Sequence, residues 1–189
     1  MSQIARKSLI GVEDYLAGEL VSEVRHEYVN GEVFAMVGTS VGHNLIALNL
    51  ASALTQHLRG GQCRALMSDV KVRIRTHRDE RFYYPDLAVT CSNLKPGDYY
   101  TESPVLICGV LSDSTERQDR ADKFYAYRKL ASLQEYVLVA QDLMRVEVYR
   151  RNTGWELELY AAGDRVRLES VDLELTVAEA YEGTGLASG

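Results

Sequence analysis

No run of roughly 18 apolar residues, the length a membrane-crossing helix needs, occurs anywhere in this chain. Its opening, MSQIARKSLIGVEDYL, lacks the apolar segment of a secretory signal. A soluble, cytoplasmic protein with no membrane partner is therefore expected. Cysteine is scarce too: Cys63, Cys91 and Cys108 are odd in number and show no CxxC spacing, which argues against a disulfide framework or a zinc knuckle and predicts reduced, buried thiols. Positive charge is in deficit, 21 Lys and Arg against 27 Asp and Glu, for a net charge of −6. The molecule as a whole does not attract nucleic acid, so any DNA binding must be carried by a local basic face and must be salt-sensitive. No GxSxG, GxGxxG, GxxxxGK[ST] or HExxH motif occurs, which leaves a small-molecule hydrolase with little support. Internal repeats and low-complexity segments are also missing.

What is present is enough for one full core. At 189 residues, 46% hydrophobic and 25% charged, a single domain over residues 1–189 is the expectation, with a flexible tail at EGTGLASG. GVEDYLAGELVSEVRH reads as a first helix. In HEYVNGEVFAMV, Asn30-Gly31 between two apolar runs is a strong hairpin signal. SVGHNLIALNLASALTQHLRGG follows as a helix with Leu45, Leu48, Ala51 and Leu54 on its apolar spacing and Gly60-Gly61 as its stop. Segments 63–67, 69–76, 82–91 and 104–111 read as strands, 115–131 as a helix, and 135–140, 144–150 and 155–160 as further strands. Such a mixed order predicts an α/β (mixed α+β) fold in which a central mixed sheet is flanked by helices.

Three positions within this pattern carry chemistry. Asp86 follows Pro85 in the apolar stretch FYYPDLAVTC, where an ionised carboxylate is costly unless a cation or hydrogen-bond donors meet it; the plainer account is a cap at a strand end. Gly109 interrupts the apolar run PVLICGVL, on one face with Val105, Ile107 and Leu111, where glycine signals a bulge or a close approach of another chain segment. Lys123 borders the apolar stripe of the helix that SDSTER starts, and either snorkels to solvent or leans toward Asp86. Elsewhere, VKVRIRTHR alternates Lys71, Arg73 and Arg75 with apolar residues, making one strand face basic. That face is either an ordinary solvated surface or a nucleic-acid-binding stripe.

The blocks YLAGELVSEVRHEYVNGEVFAM, HNLIALNLASAL, SDVKVRI, YYPDLAVTC, VLSDSTERQDRADKFYAYRKL and LQEYVLVAQDLMRVEVYRR, in this order over about residues 9 to 183, resemble the putative restriction endonuclease family of the PD-(D/E)XK nuclease superfamily. The resemblance implies a restriction-endonuclease-like sheet and an active site that binds Mg²⁺ (or Mn²⁺) through an Asp and a Glu, with a Lys acting on the attacking water. Its Asp falls on Asp86, also the metal ligand, and its Lys on Lys123, while its second carboxylate falls on Gly109. Family members also have acidic hairpin residues matching Glu27 and Glu32, and a His matching His43; Asp113, just past the strand, could substitute for the missing carboxylate. What is expected is a metal-dependent DNA endonuclease-like protein, impaired because Gly109 stands where a Glu belongs and binding Mg²⁺ weakly. The alternative is a catalytically silent nucleic-acid-binding module on the same fold. A homodimer would suit cleavage of both strands of a duplex.

Overall fold

The computed structural model describes residues 9–112 and 115–186. Its architecture is mixed α+β, with mixed sheets flanked by helices, as the segment order predicts. A first helix, α1 (Val12–Glu19), leads into the hairpin β1 (His26–Val29) and β2 (Glu32–Ala35). Asn30 and Gly31 turn it with φ of 50° and 95°, left-handed values that this residue pair tolerates and a tight hairpin requires. Helix α2 (Val41–His57) begins where Ser40 Oγ accepts the His43 amide and gives out before Gly60, at φ 80°. Its buried face is Ile46, Ala47, Leu50, Ala51 and Leu54, one step round from the expected stripe, so Leu48 is exposed.

The strands β3 (Arg64–Met67), β4 (Lys71–Arg75), β5 (Glu80–Tyr83), β6 (Leu87–Thr90), β7 (Tyr100–Thr101) and β8 (Pro104–Leu111) follow. The expected single strand over 82–91 is two strands, and they belong to different sheets. Pro85 has no amide hydrogen for a ladder and disfavours helical backbone at Tyr84, so the chain leaves one sheet at Tyr83 and enters another at Leu87. A helical stretch then runs as α3 (Glu116–Gln118), a π-helical turn (Asp119–Lys123) and α4 (Phe124–Tyr127). Next come β9 (Glu135–Ala140), β10 (Arg145–Arg150) and β11 (Leu157–Ala161), then a hairpin of β12 (Arg165–Leu168) and β13 (Leu173–Thr176), and α5 (Val177–Ala180).

The central mixed sheet is six-stranded, β11-β10-β9-β8-β6-β3, and is accompanied by a five-stranded sheet, β2-β1-β5-β4-β7, and the β12-β13 hairpin. Within the larger sheet β8 pairs parallel to β9 and antiparallel to β6. One of its faces (Leu106, Cys108, Val110) packs on α2, the β12-β13 hairpin and α5. The other (Ala88, Ile107, Leu111, Leu138) meets α4 and, from the smaller sheet, Val72, Ile74 and Tyr83. Of the tail expected to be flexible, Leu186 packs against the first of these clusters, and residues 187–189 lie outside the described residues. No helix among the described residues is long and apolar enough to cross a membrane.

The cysteines correct an expectation. Cys63 and Cys91 form a disulfide, and only Cys108 is free. Arg64 pairs with Thr90 in the β3-β6 ladder, so Cys63 and Cys91 stand where the next pair of that ladder would fall, with Cα atoms 3.9 Å apart. Spacing along the chain carries no trace of that register.

Candidate functional site

The break between the two sheets opens a cavity of about 330 Å³. Asp86, Gly109 and Lys123 all line it, together with Glu27, His43 and Asp119. Leu87 pairs with Cys108 across β6 and β8, so continuing that register sets Asp86 opposite Gly109 on the face covered by the helical stretch. The Val110 amide donates to Asp86 Oδ2 at 2.7 Å, fixing the carboxylate against the strand. His43 Nε2 lies 2.8 Å from Asp86 Oδ1. The backbone amide of His43 goes to the Ser40 cap, so the cap contact and the imidazole contact are separate features of the same residue.

Lys123 does not snorkel to solvent. It is buried, with Nζ 2.8 Å from Glu27 Oε1 and 3.3 Å from Asp119 Oδ1, over the ring of Tyr83. Burial alone would lower its pKa, but the Glu27 and Asp119 carboxylates outweigh that and hold it above the ordinary lysine value. For Glu27 burial dominates in the other direction, pushing its carboxyl up against the pull of Lys123. Asp119 belongs to no motif visible in the sequence, although its position four residues before Lys123 on one helical stretch is a signal for such a pair. Glu32, at the start of β2, is not among the residues lining the cavity, and Asp113 lies outside the described residues. Two buried polar atoms at the cavity wall, Tyr127 Oη and His43 Nδ1, have no hydrogen-bond partner among the described residues.

Against the divalent ion that the resemblance implies, this donor set does not fit. Mg²⁺ wants one or two protein carboxylates free to take it beside waters and phosphate. Here Asp86 offers both oxygens to His43 and Val110, Glu27 and Asp119 are held by Lys123, and position 109 contributes no side chain. Among the described residues no group of three or more His, Cys, Asp or Glu is placed to hold a metal ion.

The basic strand face is also differently placed from its sequence pattern. Lys71 is 4% exposed and donates to Tyr84 Oη at 3.1 Å, and burial lowers the pKa of its ammonium. Arg73 is held between Glu80 and Glu102, and only Arg75 is exposed. None of the three lines the cavity. Lys71 instead supports it from behind: Tyr84 passes its own hydroxyl hydrogen to Glu19 at 2.7 Å, and this chain anchors the residue before Pro85-Asp86.

Two uncharacterized proteins of Synechocystis sp. are similar to the chain, one 34% identical over 174 residues with 90% of each covered, the other 31% identical over 154 residues with 80% of this chain and 86% of the relative covered. A crystal structure of a putative nuclease from Anabaena variabilis is similar in fold, with a TM-score of 0.71 at 18% identity over 91% of this chain and 97% of the other. The sequence profile of the Uma2 family, described as "Putative restriction endonuclease", matches residues 12–178, nearly the whole chain, and the protein belongs to that family.

Proposed function

We propose that this protein is a DNA-directed, restriction-endonuclease-like nuclease whose phosphodiester hydrolysis is impaired by the glycine at 109. Membership of the Uma2 family supports a phosphodiester of DNA as the substrate class. One observation carries the impairment: Gly109 lines the same cavity as Asp86 and Lys123, across the ladder from Asp86, and supplies no carboxylate. With the cavity carboxylates Asp86, Glu27 and Asp119 committed to His43, Val110 and Lys123, the unaltered site does not suit Mg²⁺ or Mn²⁺.

A side chain can start at this position without displacing the backbone. A Cβ on Gly109 would meet nothing closer than the tip of the Leu138 side chain at 3.4 Å, and its φ is not positive. The experiment is calorimetric titration of Mg²⁺ and Mn²⁺, with plasmid relaxation, on the unaltered protein and on Gly109→Glu. The Glu variant should bind Mn²⁺ at least roughly tenfold more tightly, as a second anionic oxygen ligand should, and should cut plasmid where the unaltered protein does not. Strong metal-dependent cleavage by the unaltered protein overturns the impairment. Neither binding nor cleavage in either form, with the fold intact, leaves the silent DNA-binding module in its place.

A further inference from the structure

We propose that the cluster of Arg128, Tyr125 and Trp155 is a contact surface for DNA with unpaired bases, on which Arg128 meets a phosphate and Tyr125 a base face. The proposal rests on DNA as the substrate class. A chain of net charge −6 needs a local face of uncompensated cations to hold DNA, and Lys71, buried, and Arg73, ion-paired, do not supply one. Arg128, at the end of α4, does. Its guanidinium has no hydrogen bond or ion pair among the described residues, and lies over three rings, 5.1 Å from the centroid of Phe124, 5.7 Å from Trp155 and 5.9 Å from Tyr125. Such stacking fixes the plane of the guanidinium and leaves its N–H donors without an acceptor from the chain, an arrangement that suits phosphate. Arg151 lies over the same indole at 5.1 Å and places its donors on the carbonyls of Leu130 and Leu133, so its charge too meets no carboxylate among the described residues.

The rings are placed for contact as well as packing. Tyr125 is 63% exposed, whereas Ala126 and Tyr127 beside it are buried. Trp155, the one tryptophan of the chain, stands in the turn between β10 and β11 at φ 70°, a left-handed value that bulky residues rarely adopt and that glycine or asparagine takes at lower cost. Its amide closes that turn by donating to the Arg150 carbonyl at 2.7 Å, a bond any residue but proline makes, so the turn itself does not call for an indole. Phe124 ties the cluster to the cavity: its ring is stacked on that of Tyr136, with centroids 5.8 Å apart and planes 17° apart, and Tyr136 lines the cavity. A flat face beside a fixed cation recognises a nucleobase and the phosphate next to it. In a duplex the base faces are buried in the stack, which selects unpaired DNA as the occupant.

The test is fluorescence anisotropy on the full chain in EDTA, which reads binding without cleavage. The probes are a labelled oligothymidine of about 20 nucleotides, its duplex with oligoadenine, and an abasic strand of the same length. Oligothymidine should bind about tenfold more tightly than the duplex. Arg128→Gln should weaken that binding about tenfold and reduce the slope of log affinity against log salt by about 0.7. Tyr125→Ala, at an exposed position, should weaken oligothymidine binding about tenfold but abasic binding less than about twofold, a selectivity that misfolding does not produce. Arg59→Gln, which removes an exposed arginine just beyond α2, should change neither affinity. No binding of oligothymidine, equal or tighter binding of the duplex, or an affinity for oligothymidine that either Arg128→Gln or Tyr125→Ala leaves unchanged overturns the proposal. The nuclease reading fails separately: Arg128-dependent binding with no cleavage by the unaltered protein or Gly109→Glu leaves this surface standing, while cleavage by Gly109→Glu with Arg128 and Tyr125 dispensable for binding removes this surface alone.

Discussion

His43 and Asp86 meet through a 2.8 Å contact between Nε2 and Oδ1, which ties the first turn of α2 to the break between β5 and β6. Hydrogen bonds to a charged partner contribute more than neutral ones, on the order of 1.5–3 kcal/mol. His43→Ala should therefore lower the unfolding free energy by about that amount in urea titration at neutral pH. His43→Gln, which retains an amide donor, should recover part of it. A loss under about 0.5 kcal/mol for His43→Ala, the range of ordinary surface substitutions, would show that the contact holds nothing.

Lys123 serves two carboxylates, and removing it exposes their mutual repulsion. Lys123→Met leaves Glu27 and Asp119 buried without a cation, which should cost about 3–5 kcal/mol. The sign of the pH dependence follows from Glu27. Its pKa is already raised in the folded state, so its contribution is most favourable at low pH and is lost as pH rises through the folded value. Without Lys123 that value rises further. The gap between variant and unaltered protein should accordingly be small near pH 5 and widen by pH 8, and adding Glu27→Gln to Lys123→Met should close part of it. A gap independent of pH would remove Glu27 from the account.

The joint presence of Asp86, Gly109 and Lys123 at one cavity is what the family resemblance implies; the local patterns alone left each of them a plainer account. The Asn30-Gly31 turn and α2 were legible from strongly patterned segments. Other features depend on contacts that a linear pattern does not encode. An alternating strand shows which residues share a face, but not that Tyr84 and Tyr99 cover the end of Lys71 while Glu80 and Glu102 flank Arg73. Likewise the pairing of Cys63 with Cys91 depends on the register of β3 against β6, and the partner of His43 depends on where α2 docks. The β12-β13 hairpin closes the first core cluster through Val166, Leu168 and Leu175, three apolar residues too widely spread to mark it in advance.

The placement of the basic residues limits what they can contribute to DNA binding. Removing one side chain that touches a phosphate should reduce the slope of log affinity against log salt by about 0.9 for duplex DNA. With Lys71 buried and Arg73 ion-paired, the triple change Lys71→Gln, Arg73→Gln, Arg75→Gln should flatten the slope by no more than about one such step, Arg75's share. Fluorescence anisotropy over a salt series measures this. A flattening near three steps would show that Lys71 and Arg73 leave their partners to reach phosphate.

Asp79 is a carboxylate whose ionised form the fold favours. It accepts from Arg81 at 2.7 Å and Asn30 at 2.9 Å and is ion-paired with Lys129, thereby tying the end of the helical stretch to both hairpins of the smaller sheet. Burial would raise its pKa, yet these donors outweigh it and hold the carboxyl at about 2, below its ordinary 3.8. For a depressed acid the stability is present above the unfolded value and lost as pH falls through the folded one. Asp79→Asn should thus be less stable than the unaltered protein at pH 6, by on the order of 1–2 kcal/mol after allowing for solvent screening. That difference should shrink between about pH 4 and pH 2. An unchanged difference across that window, in denaturant titrations, would assign the loss to packing instead of charge.

The Cys63–Cys91 bond closes a loop with a sequence separation of 28, which contains β3, β4, β5, β6 and, through them, Asp86. By the loop-entropy argument such a crosslink stabilises by about 3–4 kcal/mol, mainly by restricting the unfolded chain. For a chain of this size the loss on reduction should lower Tm by roughly 6–16 °C. Thiol titration should find no reactive group in the native oxidised protein, because Cys108 is fully buried and burial pushes its thiol pKa well up, and one thiol after unfolding. Treatment with dithiothreitol should raise that count to three and shift the melting curve, while Cys63→Ser should melt at the reduced protein's temperature with or without reductant. If three thiols titrate in the unfolded, unreduced protein, the bond is absent in solution and β3 is held to β6 by its ladder and its packing alone.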